Sequence, residues 1–306
     1  MKILLTGASG QLGKELQPLL VRLGNVTTVD RIVDSAASPE RLKLDLSNLH
    51  QVEILLNRMC PDLVVNAAAY TAVDSAENDS KPAFRLNADL PGCIARWAGR
   101  NDSFLFHYST DYVFDGESGQ AYRETDVTFP LNSYGDSKRA GEWAIAAGKC
   151  RHIILRTSWV YSAHGNNFVL SMLRLARVLP ELSIVSDQTG CPTWARNLAR
   201  VSHDVMGQLL NQKNNTENDG LYHYCDNTVT TWYDFARLIF STALGLGLLD
   251  EMPRLTPLKS SQYPQIAERP GFSVLDTAVI RDTFGVESVS LKESLEACLQ
   301  EIEGDK

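Results

Sequence analysis

The chain has 306 residues, enough for one large α/β unit or two packed lobes, and its 29 Lys and Arg stand against 37 Asp and Glu. The net charge of −8 is spread without a long run of one sign, which argues against nucleic acid as a partner. Six scattered cysteines without a Cys-x-x-Cys or a Cys/His cluster argue against zinc and for reduced thiols in a cytoplasmic protein. The opening Ile3-Leu4-Leu5 is too short for a signal core, and no apolar run is long enough for a membrane.

Lys2 to Thr6 reads as a short buried strand, and Gly7-Ala-Ser-Gly10-Gln-Leu-Gly13 leads from it into a helical pattern over Lys14 to Leu23. In this strand–turn–helix context the three glycines let backbone approach a pyrophosphate, and the helix N-terminus attracts its charge. Gly7, Gly10, Gln11, Leu12 and Gly13 are the candidate contacts. A second strand, Val26 to Val29, ends at Asp30, about 20 residues on, where a carboxylate suits adenosine ribose hydroxyls and NADH. Arg31 follows, and its guanidinium could pair with the 2′-phosphate of NADPH, so the choice between the two stays open here.

Leu42 to Leu46 reads as a strand, with Asp45 and Leu46 beside the adenine; the other reading of Asp45 is an N-cap for the following helix. Asp62 to Asn66 is a buried strand. The small residues after it, through Ala69, Tyr70 and Thr71, leave room for a cofactor, although small side chains serve tight packing equally. Helical spacing over Asp89 to Arg100 and a strand over Ser103 to Tyr108 place Ser109, Thr110 and Asp111 at a strand's C-terminal end, where ligands of doubly wound sheets bind. Strand and helix alternate over roughly 150 residues, the pattern of a parallel sheet.

Tyr134 and Lys138 are four residues apart, on one face of a helix. A fixed ammonium nearby would lower the phenol's pKa from about 10 towards the working range. The same spacing occurs by chance in many helices. The strand Ile153 to Ser158 ends at Trp159, as a core aromatic or as a pocket wall. Beyond it, Gly165-Asn-Asn-Phe-Val169 opens a helix to Leu179, Leu182 to Val185 reads as a strand, and Thr193 is a candidate N-cap for a helix over 194–210. Asn211 to Gly220 is polar enough for an exposed loop, Leu221 to Tyr224 begins a second return, and Thr230 to Ile239 is an amphipathic helix with core aromatics.

Gly7-x-x-Gly10-x-x-Gly13, Asn66-Ala-Ala-Ala, Ser109-Thr-Asp-Tyr-Val-Phe114 and Tyr134-x-x-x-Lys138, in this order, resemble the extended short-chain dehydrogenase/reductase superfamily. Within it, Asn66 to Asp74, His107 to Phe114, Arg156 to Tyr161, Gly165 to Phe168 and Asp187 to Thr193 resemble the dTDP-4-dehydrorhamnose reductase family over nearly the whole chain. That resemblance implies a doubly wound parallel α/β sheet (Rossmann) with a smaller α/β substrate-binding lobe. It places residues 1–160 and 194–220 in the dinucleotide-binding domain, and 161–193 and 221–306 in the lobe. It also implies reduction of the C4 ketone of a nucleotide sugar with NADPH or NADH, for surface polysaccharide. Tyr134 would donate the proton, Lys138 would hold the nicotinamide ribose and lower the phenol's pKa, and Thr110 would hydrogen-bond the ketone oxygen. Thr71, Thr110, Asp111 and Trp159 would lie at the sugar, and Arg269, in Glu268-Arg-Pro270, at the diphosphate, with a surface salt bridge as its other reading.

Some members of the family form dimers bridged by magnesium, and Glu15 matches one ligand. Arg196 stands where a second carboxylate is expected, which puts a magnesium-bridged homodimer in doubt and leaves Glu15 as a first-turn acid favoured by the helix dipole. Two other readings stay open: a nucleotide-sugar epimerase of the same superfamily, or a regulatory subunit resembling the methionine adenosyltransferase β subunit.

Overall fold

In the computed structural model, which describes residues 1–31, 41–211 and 216–304, a sheet of seven parallel strands forms the centre. In chain order its first half comprises β1 (Lys2–Thr6), α1 (Gln11–Leu20), β2 (Asn25–Asp30), β3 (Arg41–Lys43), α2 (Leu49–Met59), β4 (Leu63–Asn66), α3 (Leu90–Asn101), β5 (Phe104–Thr110), α4 (Ser133–Ala147) and β6 (Arg151–Thr157). After these come α5 (Phe168–Ala176), β7 (Glu181–Val185), α6 (Ala195–Asn211), β8 (Gly220–His223), α7 (Trp232–Gly245), β9 (Arg254–Leu258), α8 (Ala278–Phe284) and α9 (Leu291–Gly304). The strands lie in the order β8-β6-β5-β4-β1-β2-β3, each neighbour parallel, which is the doubly wound arrangement.

The strands are apolar on both faces because both are covered. Ile3, Leu5, Phe104 and Phe106 pack with α1, α6 and α8, while the alternating Leu4 and Leu105 pack with α2, α3 and α4. A separate core joins α5, β7, α7 and α9 beside the sheet, and there β7 pairs with β9 in parallel. Side-chain caps set several helix starts: Asn48 Oδ1 accepts from Gln51 N, Asn132 Oδ1 from Gly135 N, and Asn167 Oδ1 from Leu170 N.

Several local expectations are corrected. The helix after the glycine loop begins at Gln11, so Glu15 lies beyond the first turn and the dipole reading does not apply. Asn48, and not Asp45, caps α2. Thr193 does not cap α6: it pairs with Val160 in a short bridge, and its hydroxyl donates to Cys191 O at 3.3 Å. The Trp194 amide before that helix donates instead to Asp226 Oδ2 at 3.1 Å, a partner 32 residues away that no local pattern announces. Residues 220–223 are the edge strand of the main sheet and 278–284 pack on its face, so 221–306 is not confined to the smaller lobe. Residues 212–215 of the expected polar loop lie outside the described residues. Among the described residues no helix is long and apolar enough to cross a membrane.

Candidate active site

A cleft of about 590 Å³ opens along the C-terminal ends of β1, β2, β4, β5 and β6. At its floor Gly7 has φ +69°, and a Cβ there would strike the backbone of Ala67 and Ala68; one on Gly13 would strike the Gly7 carbonyl. Two turns are thereby pressed together, and the N-terminus of α1 faces the cleft through Gly10, Gln11, Leu12 and Gly13. Asp30 ends β2 with its carboxylate fixed: Oδ2 accepts from Ser9 N at 2.9 Å and Ser9 Oγ at 2.5 Å, and Oδ1 from Arg31 N. Ser9 lines the cleft too, a contact that its place inside the glycine motif could have signalled.

Arg31, Asp45, Leu46, Ala69 and Thr71 line the same cleft. Asp45 sits below the usual carboxylate range because the Ser47 amide and hydroxyl bond it. Tyr70 is not among the cleft residues; it lines an adjoining pocket with Lys81 and Arg85, its backbone held by Asn87 through N–H to Oδ1 at 2.8 Å and Nδ2 to O at 3.0 Å. A phosphate-bearing dinucleotide fits the cradle: glycine backbone, helix amides and a carboxylate at the second strand end all converge on it.

Thr110, Asp111, Tyr134, Lys138 and Trp159 line the same cleft. Tyr134 and Lys138 both stand on α4 and both line the cleft, Lys138 buried and Tyr134 half-buried. The electrostatics differ from expectation. Burial pushes Tyr134 up to about 12, opposed by a hydrogen bond with Thr110 and reinforced by the Asp111 charge; Lys138 does not pull it down. Lys138 Nζ donates to Tyr108 O at 2.5 Å and stands 3.4 Å from His107 Nε2, and burial lowers it to about 8. His107 is held well below its ordinary value by burial and the neighbouring ammonium, so it is neutral, and its Nδ1 meets Asn66 Nδ2 at 3.0 Å. Asn66 in turn accepts from Thr6 Oγ1 at 2.6 Å. Asn66 and His107 lie in strand-end motifs, but what aligns them under Lys138 is the pairing of β4 with β5.

Trp159 resolves into a wall of the cleft, not a core aromatic. Its φ is +46°, and its indole stacks on Trp232 at 3.5 Å between centroids and 7° between planes. The motif around Gly165 closes the cleft from the smaller lobe: Asn167 Nδ2 and Ser162 Oγ donate to Gln11 Oε1 at 2.9 and 3.1 Å. Arg269 is not among the cleft residues. Its guanidinium pairs with Asp74 at 2.8 Å and donates to Gln265 at 2.6 Å, which is the salt-bridge reading.

Glu15, His164 and Glu301 bring ligand atoms close enough for a metal ion. The arrangement does not fit one, because Arg196 already binds both carboxylates, with Nε 2.9 Å from Glu15 and Nη2 2.7 Å from Glu301. A divalent cation there would face a resident guanidinium.

Residues 1–303 match the family model described as RmlD substrate binding domain. The chain is 41% identical to the dTDP-4-dehydrorhamnose reductase of Salmonella typhimurium over 284 residues, covering 93% of this chain and 92% of that one. Among solved structures it is similar to a dTDP-4-dehydrorhamnose reductase from Clostridium acetobutylicum, with a TM-score of 0.85, 35% identity, and 99% and 100% of the two chains covered. A dTDP-4-dehydrorhamnose reductase from Bacillus anthracis in complex with NADP superposes with the same TM-score, 31% identity, and 98% and 99% coverage.

Proposed function

The chain belongs to the RmlD substrate binding domain family, and from that premise we propose that it reduces the C4 ketone of dTDP-4-dehydro-β-L-rhamnose to dTDP-β-L-rhamnose, with NADPH or NADH. The observation that supports the reading is that Thr110, Tyr134 and Lys138 line the same cleft as the glycine turn and Asp30. A reduced nicotinamide, when bound, supplies the hydride.

Reduction of a ketone leaves negative charge on oxygen, and the chain's own groups answer it. Tyr134, a neutral phenol at physiological pH because burial holds it near 12, delivers its proton to the oxygen. Thr110 stands beside it as a second hydrogen-bonding hydroxyl. Lys138 holds the ribose of the cofactor and carries positive charge near the reacting atoms below about pH 8. Trp159 and Asp111 wall the sugar. Arg269, tied to Asp74, reaches a diphosphate only by exchanging that partner. The smaller lobe is taken to hold the nucleotide sugar while the sheet holds the cofactor. A cytoplasmic site of action, a nucleotide sugar and not nucleic acid as partner, and an optional homodimer belong to the same reading, supported by the dispersed negative charge and by the family.

Purified protein given NADPH or NADH and the dehydrorhamnose nucleotide should oxidise the cofactor in proportion to product. Tyr134→Phe should cut kcat by about 10²–10⁴. Undiminished turnover in that variant would remove Tyr134 as the acid. Isomerised sugar without net cofactor oxidation would indicate an epimerase, and a stoichiometric co-purifying partner with no reductase activity a regulatory subunit.

A further inference from the structure

Thr110 Oγ1 lies 3.0 Å from Asp111 Oδ1, accepts the Tyr112 amide proton at 3.2 Å, and lines the same cleft as the Tyr134 phenol, on whose proton affinity it acts. A hydroxyl has one proton and two lone pairs. With Asp111 ionised, the Thr110 proton is spent on Oδ1 and none remains for the phenol or the ketone. With Asp111 protonated, its O–H and the Tyr112 N–H fill the two lone pairs of Oγ1, and the Thr110 proton is free for Tyr134.

The surroundings of Asp111 favour the second state. The residue is 2% exposed and its Oδ2 has no hydrogen-bond partner. Its electrostatic neighbours are uncharged acids at neutral pH: the phenols of Tyr112 beside it and Tyr134 on α4, and the thiol of Cys225 after β8. Among the described residues no cation is paired with it. Burial raises its carboxyl to about 7, and the hydroxyls of Ser273 and Thr110 offset only part of this.

We propose that Asp111 rests as a carboxylic acid and that Asp111 and Thr110 form a two-step relay which returns a proton to Tyr134 after each reduction. The proposal rests on the reductase reading. During reduction the carbonyl carbon gains hydride, its oxygen gains the Tyr134 proton, and Tyr134 becomes phenolate. The Thr110 O–H then breaks as a new O–H forms on the phenolate, and the Asp111 O–H breaks as one forms on Thr110 Oγ1. The carboxylate left behind takes one proton from water, so each ketone reduced consumes one hydride and one solvent proton.

Two measurements on wild type and Asp111→Asn test it. The infrared difference between the proteins, without substrate, should show the C=O stretch of a protonated carboxylic acid at pH 6 that disappears by pH 9. The asparagine amide can still donate to Thr110 but cannot pass on a proton. Asp111→Asn should therefore lower kcat at least tenfold and lose the alkaline fall expected of wild type from about pH 7, keeping only the fall that Lys138 sets near 8. Thr110→Val, which cuts the relay but keeps Asp111, should retain the infrared band, and adding Asp111→Asn to it should cost no further rate. A missing band at pH 6, or an asparagine variant with the wild-type rate and pH profile, would overturn the relay. A band in a wild type that reduces no 4-keto nucleotide sugar would instead overturn the reductase reading and the relay's role together, leaving only the protonated carboxyl standing.

Discussion

Trp159 carries its wall of the cleft on a backbone with φ +46°, a conformation that costs a bulky residue energy and persists only where the surroundings hold it. Trp232 covers one face of the indole, and Gly190 leaves room at its edge: a Cβ on Gly190 would come within 2.5 Å of Trp159 Cε2. Gly190→Ala should therefore push the indole aside and raise KM for the nucleotide sugar about tenfold, ~1.4 kcal/mol, with a smaller change in kcat. Steady-state kinetics with varied nucleotide sugar decide this, and an unchanged KM would place Trp159 outside the sugar site. The position of Trp159 at a strand end is readable from the residues around it. Its dependence on Gly190 and Trp232, which reach it from other parts of the chain, is not. Tyr134 shows the same limit, since spacing brings Lys138 to its face of the helix but cannot reveal that Nζ is anchored on Tyr108 O while burial sets the phenol.

The placement of Tyr134 depends on α4, and besides Lys138 a buried ion pair fixes α4 to the sheet. Glu142 accepts from Arg156 Nη2 at 2.6 Å, Arg156 Nε at 2.8 Å and Ser109 Oγ at 2.5 Å, with the two charged side chains only 4% and 5% exposed. Glu142→Gln would leave the Arg156 guanidinium buried without its counter-charge, an expected loss of about 3–5 kcal/mol in urea unfolding, together with reduced turnover as α4 shifts. A variant as stable as wild type would show that water reaches Arg156. Arg196 plays the corresponding part between α1, α6 and α9, standing on Glu15 and Glu301. A chelator should thus leave the melting temperature unchanged, whereas Arg196→Glu should make it rise with added magnesium. A chelator-sensitive wild type would contradict the guanidinium's role. At this scale the strands were legible because buried parallel strands are continuous apolar runs, as in Leu63 to Val65. Helix starts were less so: α6 takes its capping acceptor from Asp226, and Gly220–His223 joins the main sheet through pairing with β6 that a four-residue apolar run does not specify.

Across the whole molecule, buried groups of opposite sign set how stability responds to acid. His107 and His223 are held neutral, the latter at about 3 by burial and by Arg156, so below about pH 6.5 the unfolded chain takes up two protons that the folded chain refuses. That lowers stability as pH falls, by about 1.4 kcal/mol per unit for each histidine. Asp111 at about 7 and Asp226 at about 6, both raised by burial, act in the opposite sense: between these values and 3.8 the folded chain holds protons that the unfolded chain releases. From about pH 6 to 4.5 the two pairs cancel, and stability should be nearly flat. Below 3.8 the unfolded aspartates protonate as well, the compensation ends, and the hydrogen-bonded carboxylates of Asp45, Asp115 and Asp187, whose values are lowered, begin to cost stability in the same direction. Asp226→Asn removes one compensating proton at a site bonded to Trp194 N, Asn197 and Tyr224, outside the cleft. Urea unfolding of this variant should lose its plateau and fall by about 1.4 kcal/mol per unit between pH 6 and 4.5. A plateau retained in Asp226→Asn would mean that Asp226 is already ionised in the folded protein, or that a histidine takes up its proton without unfolding. Histidine imidazole NMR titration separates the two, because a folded-state titration of His223 near 6.5 is incompatible with its burial against Arg156.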